Sequence, residues 1–290
     1  MNTTRWRVVA AISLLVLAGV LAAVVLRPSS PAQPAPVATN NEVRANAELQ
    51  VIRDRIYAAL QPVRLTGCTL KRIGEAHDGG YLVCGNLLEA ESGYSYGISN
   101  YDGWGCGIST GLGVPVHQYD CFDQRAPRCE GGQTKFHAEC IADSPSVDRE
   151  GRRFDSLANQ IARNGDASRR LIMKMDVEGA EWKSLLATPD EVLGRIDQIA
   201  IELHANVLDA ATQERVIAKL KKQFHVAHLH FNNWGCMPTY HPMPSYAWEV
   251  LFVNKRLASP SADTSPVTRP GPLDAPNNPN VPDCQYAPAS

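Results

Sequence analysis

The chain has 290 residues, 44% of them hydrophobic, with 28 basic against 30 acidic side chains and a net charge of −2. That length suits one α/β domain of about 200 residues with appendages. The basic residues are dispersed, which excludes the electrostatic footprint of a nucleic-acid-binding surface.

Val8–Leu26 is an uninterrupted apolar run with Ser13 its only hydroxyl. It is long enough to cross a bilayer and longer than a typical signal-peptide core. Arg5 and Arg7 precede it and Arg27 follows, so the positive-inside rule puts the N-terminus in the cytoplasm and the remainder across the membrane. A cleavable signal peptide is the competing reading, but no small-x-small site lies directly behind the run. The expectation is an uncleaved single-pass anchor over residues 1–27. Its domain then faces the secretory lumen, the cell exterior or the periplasm. Residues 28–41, rich in Pro, Ala, Ser, Thr and Gln, read as an extended stem. Leu49, Ile52, Ile56 and Leu60 recur three and four apart, which predicts an amphipathic helix from Glu42 to Leu60 within a lead-in over 42–67.

Residues 68–258 alternate apolar runs with helical segments. Strands are expected at Tyr81–Cys84, Tyr94–Ser99, Val116–Phe122, Lys135–Ile141, Leu171–Asp176, Gln198–Leu203, His225–His230 and Ala247–Asn254. Helices are expected at Asp155–Arg163, Glu181–Leu186 and Leu208–Gln223. This alternation predicts a doubly wound, mostly parallel α/β sheet with helices on both faces. The link from Asn232 to Ser245 is too short and Gly/Pro-broken for a crossover helix, so the last two strands should pair antiparallel. Residues 259–290 turn Pro-, Asn- and Ser-rich and read as a disordered tail that Cys284 can pin. Eight cysteines without a C-x-x-C pair favour disulfides in an oxidising compartment over a zinc ribbon, with connectivity left open.

The most informative stretch is Leu171-Ile-Met-Lys-Met-Asp176-Val-Glu178-Gly179-Ala-Glu181-Trp182. A strand ends there in a cluster of acids, and ligands of open α/β sheets bind beyond the carboxyl ends of strands. Glu181 is explained as an acid at a helix N-terminus. Asp176 and Glu178 are not, and they read as site residues. His204 follows the next strand and Asn232 and Asn233 the one after, so these polar groups can converge on one cleft. The alternating His225, His228 and His230 read as sheet residues, and Asp78-Gly79-Gly80 as a tight turn.

The Lys174–Glu181 stretch resembles the K-x-D-x-E-G-x-E signature of FkbM-like and related methyltransferase-like domains. Arg72-Ile-Gly74 with Asp78-Gly-Gly-Tyr81, Tyr94-Ser-Tyr-Gly97-Ile-Ser99, Ile201-Glu202-Leu-His204 and Phe231-Asn232-Asn233 are similar and occur in the same order. The resemblance implies a class I methyltransferase fold, with S-adenosylmethionine as methyl donor across the ends of the first strands. Gly97 and Ser99, or the later Gly103, Gly105 and Gly107, would form the cofactor loop, with Asp102 as its acid. The helix expected at 103–112 holds four glycines, each costing about 1 kcal/mol against Ala, so a plain Gly-rich loop competes. Asp120, with Asp123 as neighbour, would meet the ribose hydroxyls and Asp143 the adenine. Asp176, Glu178 and His204 would serve the chemistry, His204 or Asp176 taking the acceptor's proton. Asp176, His204 and an Asn could also hold a divalent cation. The function expected is a membrane-anchored O-methyltransferase of a sugar or other small hydroxylated acceptor. A catalytically silent methyltransferase-fold binding module is the alternative.

Overall fold

The structure, a computed structural model, describes residues 40–205, 209–237 and 240–285. Among the described residues no helix is long and apolar enough to cross a membrane, and the expected span Val8–Leu26 lies outside them. The described residues from Arg44 onward group as one compact unit.

In chain order the elements are helix α1 (Asn40–Ala59), strands β1 (Leu70–Ile73), β2 (Tyr81–Cys84) and β3 (Ser92–Tyr96), helix α2 (Gly103–Leu112), and strands β4 (Pro115–Tyr119), β5 (Gln133–His137), β6 (Cys140–Ala142), β7 (Ser146–Val147) and β8 (Arg153–Ser156). There follow α3 (Leu157–Arg163), β9 (Leu171–Met175), α4 (Ala180–Ala187), α5 (Asp190–Leu193), β10 (Ile196–His204), α6 (Ala210–Gln223), β11 (Phe224–Phe231) and β12 (Ala247–Asn254). Seven strands form the main sheet in the order β11-β12-β10-β9-β3-β4-β5. The pairs β5/β4, β4/β3, β3/β9 and β9/β10 are parallel, while β12 runs antiparallel to both β10 and β11. The expected α/β architecture and the antiparallel pairing of the last two strands are therefore present. Tyr81–Cys84 leaves the main sheet and pairs with β1 as a hairpin. The strand expected over 135–141 divides: β6 breaks away to join β8 and β7 in a small second sheet.

Strand alternation separates two cores. Tyr94, Tyr96, Met173, Met175, Ile199 and Ile201 pack against Ile56 of α1 and Leu60 just beyond it, Ile161 of α3, Trp182 of α4 and Val216 of α6. Val116, Ile172 and Ala200 point the other way, onto Trp104 and Ile108 of α2 and onto the β1–β2 hairpin. The second face is thus covered by one helix and a hairpin. That helix forms despite its glycines because they permit close approach. A Cβ at Gly107 would meet Ile73 Cγ2 at 2.7 Å, and one at Gly105 would meet the Asp102 carboxylate at 2.1 Å.

The eight cysteines form four disulfides, Cys68–Cys84, Cys106–Cys129, Cys121–Cys140 and Cys236–Cys284. The last corrects the expected disordered tail. Residues 271–284 lie as a strap, with Leu273 O accepting from the Arg72 guanidinium at 3.0 Å and Asp274 Oδ1 2.6 Å from His228 Nε2. Asp283 Oδ2 is 2.8 Å from His230 Nε2, and Asn278 O accepts from Asn233 Nδ2 at 3.0 Å. Low hydrophobicity hid this segment, because polar bonds and a disulfide hold it rather than an apolar core.

Candidate functional site

The order of the sheet reverses between β3 and β9: the chain proceeds from β3 to β4 and β5 on one side, and from β9 to β10 on the other. Loops after adjacent strands at such a point leave in opposite directions and open a crevice. Gly97 and Asp176 face each other across it. Asp176 N–H donates to Tyr96 O at 3.2 Å, and Gly97, at φ +72°, passes so close that a Cβ there would lie 1.5 Å from Asp176 O. Only glycine fits.

Two cavities meet at this point. The first, of about 250 Å³, is lined by Tyr96, Gly97, Ser99, Tyr119, Asp120, Phe122, Cys140, Ile141, Phe154, Asp176, Val177, Glu178 and Ala180. The second, of about 180 Å³, is lined by Asp78, Asp176, Glu178, Glu202, His204, Asn232, Trp234, Gly235, Tyr246 and Ala247. Asp176 and Glu178 belong to both. One cavity is largely aromatic and apolar, the other acidic, and two carboxylates form their common wall.

The residues expected to carry chemistry are brought together. Asp176 Oδ2 accepts from Tyr81 OH at 3.1 Å and lies 3.6 Å from Lys174 Nζ. Burial, then the charge of Asp176, push the Tyr81 phenol well up, so it remains a donor. Lys174 is buried in β9 and spends its ammonium on Gly97 O at 2.7 Å and Tyr96 O at 3.2 Å, bracing the loop. His204 Nε2 lies 3.5 Å from Glu178 Oε2, 4.0 Å from Asp176 Oδ1 and 3.4 Å from Glu202 Oε1. Glu178 reaches it from an exposed position with φ +53°.

Two further acids belong to the same group. Glu181, fully buried at 0% exposure, accepts from the backbone N–H of His204 at 2.7 Å, and the same oxygen lies 3.2 Å from His204 Nδ1. Its second oxygen accepts from Gly179 N–H at 2.8 Å, closing the helix start. The expected N-terminal role is therefore real but incomplete, because the carboxylate also grips the histidine. Glu202 is buried two residues before His204 on β10, so both side chains leave the same face of the strand. Asn232 Nδ2 donates to both Glu202 oxygens at 3.0 and 3.1 Å. The i, i+2 spacing of Glu202 and His204 after the apolar run Ile199–Ile201 was the available signal.

Burial tends to lower the His204 pKa, but the hydrogen-bonding and charge of Glu181 and Glu202 outweigh it and hold the ring well up. Burial, and then the charge of Asp176, hold the Glu202 carboxyl up as well. An ionised Glu202 is accordingly a stronger base than an ordinary carboxylate. Asp176, Glu202 and His204 each offer one donor atom, all within 4.8 Å of one another, so this trio can also hold a metal ion.

Among the expected cofactor residues, Gly97, Ser99 and Asp120 line the first cavity, whereas Asp102 and Asp143 lie outside it. Asp102 caps α2, accepting from Gly105 N–H at 2.7 Å, Ser95 Oγ at 3.0 Å and Gln118 Nε2 at 2.8 Å. Asp143 lies outside both cavities, at the surface beside Lys183 and Asp209. Asp120 borders the first cavity, yet its oxygens accept four backbone N–H groups, from Ile98 at 3.2 Å, Ser99 at 2.9 Å, Phe122 at 2.8 Å and Asp123 at 3.0 Å. A carboxylate has about four lone-pair sites, so Asp120 ties two loops together and has no acceptor left for a ribose. Asp123 pairs with Arg125 at 2.5 Å. The Oδ1 atoms that Asn232 and Asn233 would offer a metal instead accept from Trp234 N–H at 2.9 Å and Asn278 N–H at 2.7 Å, so the Asn ligand expected from the sequence is spent on the local chain and the strap. No protein-family model matches the chain, and comparison with curated proteins and with solved structures gives no match.

Proposed function

We propose that the chain is an S-adenosylmethionine-dependent methyltransferase acting on a hydroxyl of a sugar or other small hydroxylated acceptor. The observation that carries this reading is the pair of adjoining cavities at the sheet's reversal point, apolar on one side and acidic on the other. The doubly wound sheet closed by an antiparallel hairpin is the layout of the class I methyltransferase fold, in keeping with the sequence resemblance. Phe122, Ile141 and Phe154 offer apolar faces to a purine, and the shared carboxylates Asp176 and Glu178 attract the sulfonium and ammonium charges.

The acceptor then lies in the second cavity, over Trp234 and against Glu202. S-adenosylmethionine held in the first cavity would supply the methyl group, its sulfur leaving as a neutral thioether as the acceptor oxygen takes the methyl carbon, and Glu202 would take the acceptor's proton. Alignment of the two cavities supplies positioning, a large part of what such a displacement needs. Four disulfides suit a domain in an oxidising compartment, in keeping with a single-pass anchor and a luminal or extracellular domain.

One observation favours the silent-module alternative: Asp120 has no acceptor free for a ribose. Methyl-labelled S-adenosylmethionine with a panel of free and linked sugars separates the two. Label transfer that Glu202→Gln abolishes supports the enzyme. Cofactor binding without transfer to any acceptor supports the binding module.

A further inference from the structure

We propose that Asp176, Glu202 and His204 form a binding site for one divalent cation, with Glu178 as a fourth donor from the exposed rim. The use of the ion in methyl transfer rests on the function proposed above, but its binding does not.

Three observations converge. The His204 side chain is 4% exposed, and its Nε2 faces three carboxylate oxygens at 3.4, 3.5 and 4.0 Å. Donors about 2.0–2.2 Å from a common cation stand roughly 3–4.4 Å apart; the three Nε2–carboxylate distances fall in this range, and the Asp176, Glu202 and His204 donors all lie within 4.8 Å of one another. The opposite ring nitrogen is committed: Glu181 Oε1 lies 3.2 Å from Nδ1 and also holds the His204 backbone N–H. Glu181 thereby aims Nε2 into the cavity, where an arriving cation would displace the Nε2 proton; this is the carboxylate–histidine arrangement that orients metal ligands.

Asn232 does the same for the second ligand. Its Nδ2 donates to both Glu202 oxygens, and its Oδ1 accepts from Trp234 N–H at 2.9 Å, which fixes the amide's orientation. Tyr81 OH and Lys174 orient Asp176. Each ligand thus has its own support. Charge agrees as well. Asp78, Asp176, Glu178 and Glu202 line the cavity with Glu181 behind, against His204 and Lys174 as the cations within reach. Glu202 and Glu181 are buried, and this excess of negative charge around them favours a cation. Oxygen donors with one imidazole suit Mn²⁺ and its neighbours rather than a thiolate-seeking ion.

Held there, the cation would lie on the wall between the cavities and bind the acceptor oxygen, lowering that hydroxyl's pKa as it is presented to the methyl donor. The test is titration of the chelator-stripped full-length chain with Mn²⁺ alone, read by electron paramagnetic resonance and by melting temperature. One ion per chain is expected, with a rise in melting temperature. Glu202→Gln, His204→Gln and the partly exposed Asp176→Asn should each weaken binding at least about tenfold. Glu181→Gln, acting through the histidine, should weaken it about 10–100-fold. Asp143→Asn should bind as wild type. Absence of saturable one-to-one binding overturns the site, as does a loss below tenfold in folded Glu202→Gln and Asp176→Asn. S-adenosylmethionine binding measured without Mn²⁺ reports separately on the methyltransferase reading.

Discussion

Glu181 holds His204 from two directions, accepting its backbone N–H at 2.7 Å and facing its Nδ1 at 3.2 Å. A carboxylate at 0% exposure is tolerated because every charge it presents is answered. The consequence is a ring that cannot turn, with Nε2 committed to the acidic cavity.

Glu181→Gln keeps the shape and removes the charge. Breaking one partner of a buried pair costs about 3–5 kcal/mol, so chemical denaturation should show a loss of that order. A Glu181→Gln/His204→Gln double-mutant cycle should give a coupling of about 0.5–3 kcal/mol. Additive losses would show that the two side chains act independently.

Asp120 is a staple between two loops rather than a ligand group. Asp120→Asn offers one acceptor oxygen where four N–H groups converge, and hydrogen bonds to a charged acceptor are worth about 1.5–3 kcal/mol. Stability should fall by at least about 1.5 kcal/mol, whether or not a nucleoside is present. Unchanged stability with a selective loss of cofactor affinity would restore a ribose-binding role.

The C-terminal strap should loosen with alkali. His230 lies between Glu249 and Asp283, and although burial lowers its pKa, hydrogen bonds to Asp283 and Glu249 raise it to about 10. A folded-state value above the unfolded one of about 6.5 stabilises fully below that pH and is lost as pH climbs toward 10. Asp274 opposes from the acid side: burial works against its charge, yet His228 keeps its carboxyl below the usual value, so that contribution disappears as pH falls through it. Amide exchange of residues 274–284 should be slowest between these limits and accelerate toward pH 10, after correction for intrinsic rates. In His230→Asn the alkaline acceleration should vanish. A wild-type strap whose protection is flat from neutrality to pH 10 contradicts the assignment.

Cys121–Cys140 ties the end of β4 to β6, and Cys140 lines the first cavity. Replacing both by Ser should cost about 2–5 kcal/mol and weaken a nucleoside ligand as well. Replacing Cys68 and Cys84, which staple the distant hairpin, should cost stability alone. Equal effects of the two replacements on affinity would show that the bridge does not shape the cavity.

What the sequence reveals and what it conceals follow from range. Apolar runs such as Leu171–Met175 declare strands locally, and strand ends declare where polar groups emerge, so Asp176, Glu178 and His204 could be placed together before their distances were known. Glu202 looked like one acid inside Ile-Ala-Ile-Glu-Leu-His, and its value depends on β9 bringing Asp176 alongside. Asp102 and Asp120 were legible as strand-end acids. Which N–H groups they meet is a tertiary fact, and it turned both from ligand candidates into structural ones. The strap shows the same limit, since no apolar period announces Asp274 opposite His228 or Asp283 opposite His230.

The central claim is that the cavity between Gly97 and Ile141 receives the methyl donor. Its most direct test is calorimetric titration of the full-length chain with S-adenosylmethionine, beside Ile141→Trp, which fills that cavity, and Asp143→Asn, which lies outside it. The account predicts saturable one-to-one binding in the wild type and in Asp143→Asn, and its loss in Ile141→Trp. No binding in the wild type at about 1 mM ligand, where even a weak site worth about 4 kcal/mol would be half filled, or undiminished binding in Ile141→Trp, would contradict it.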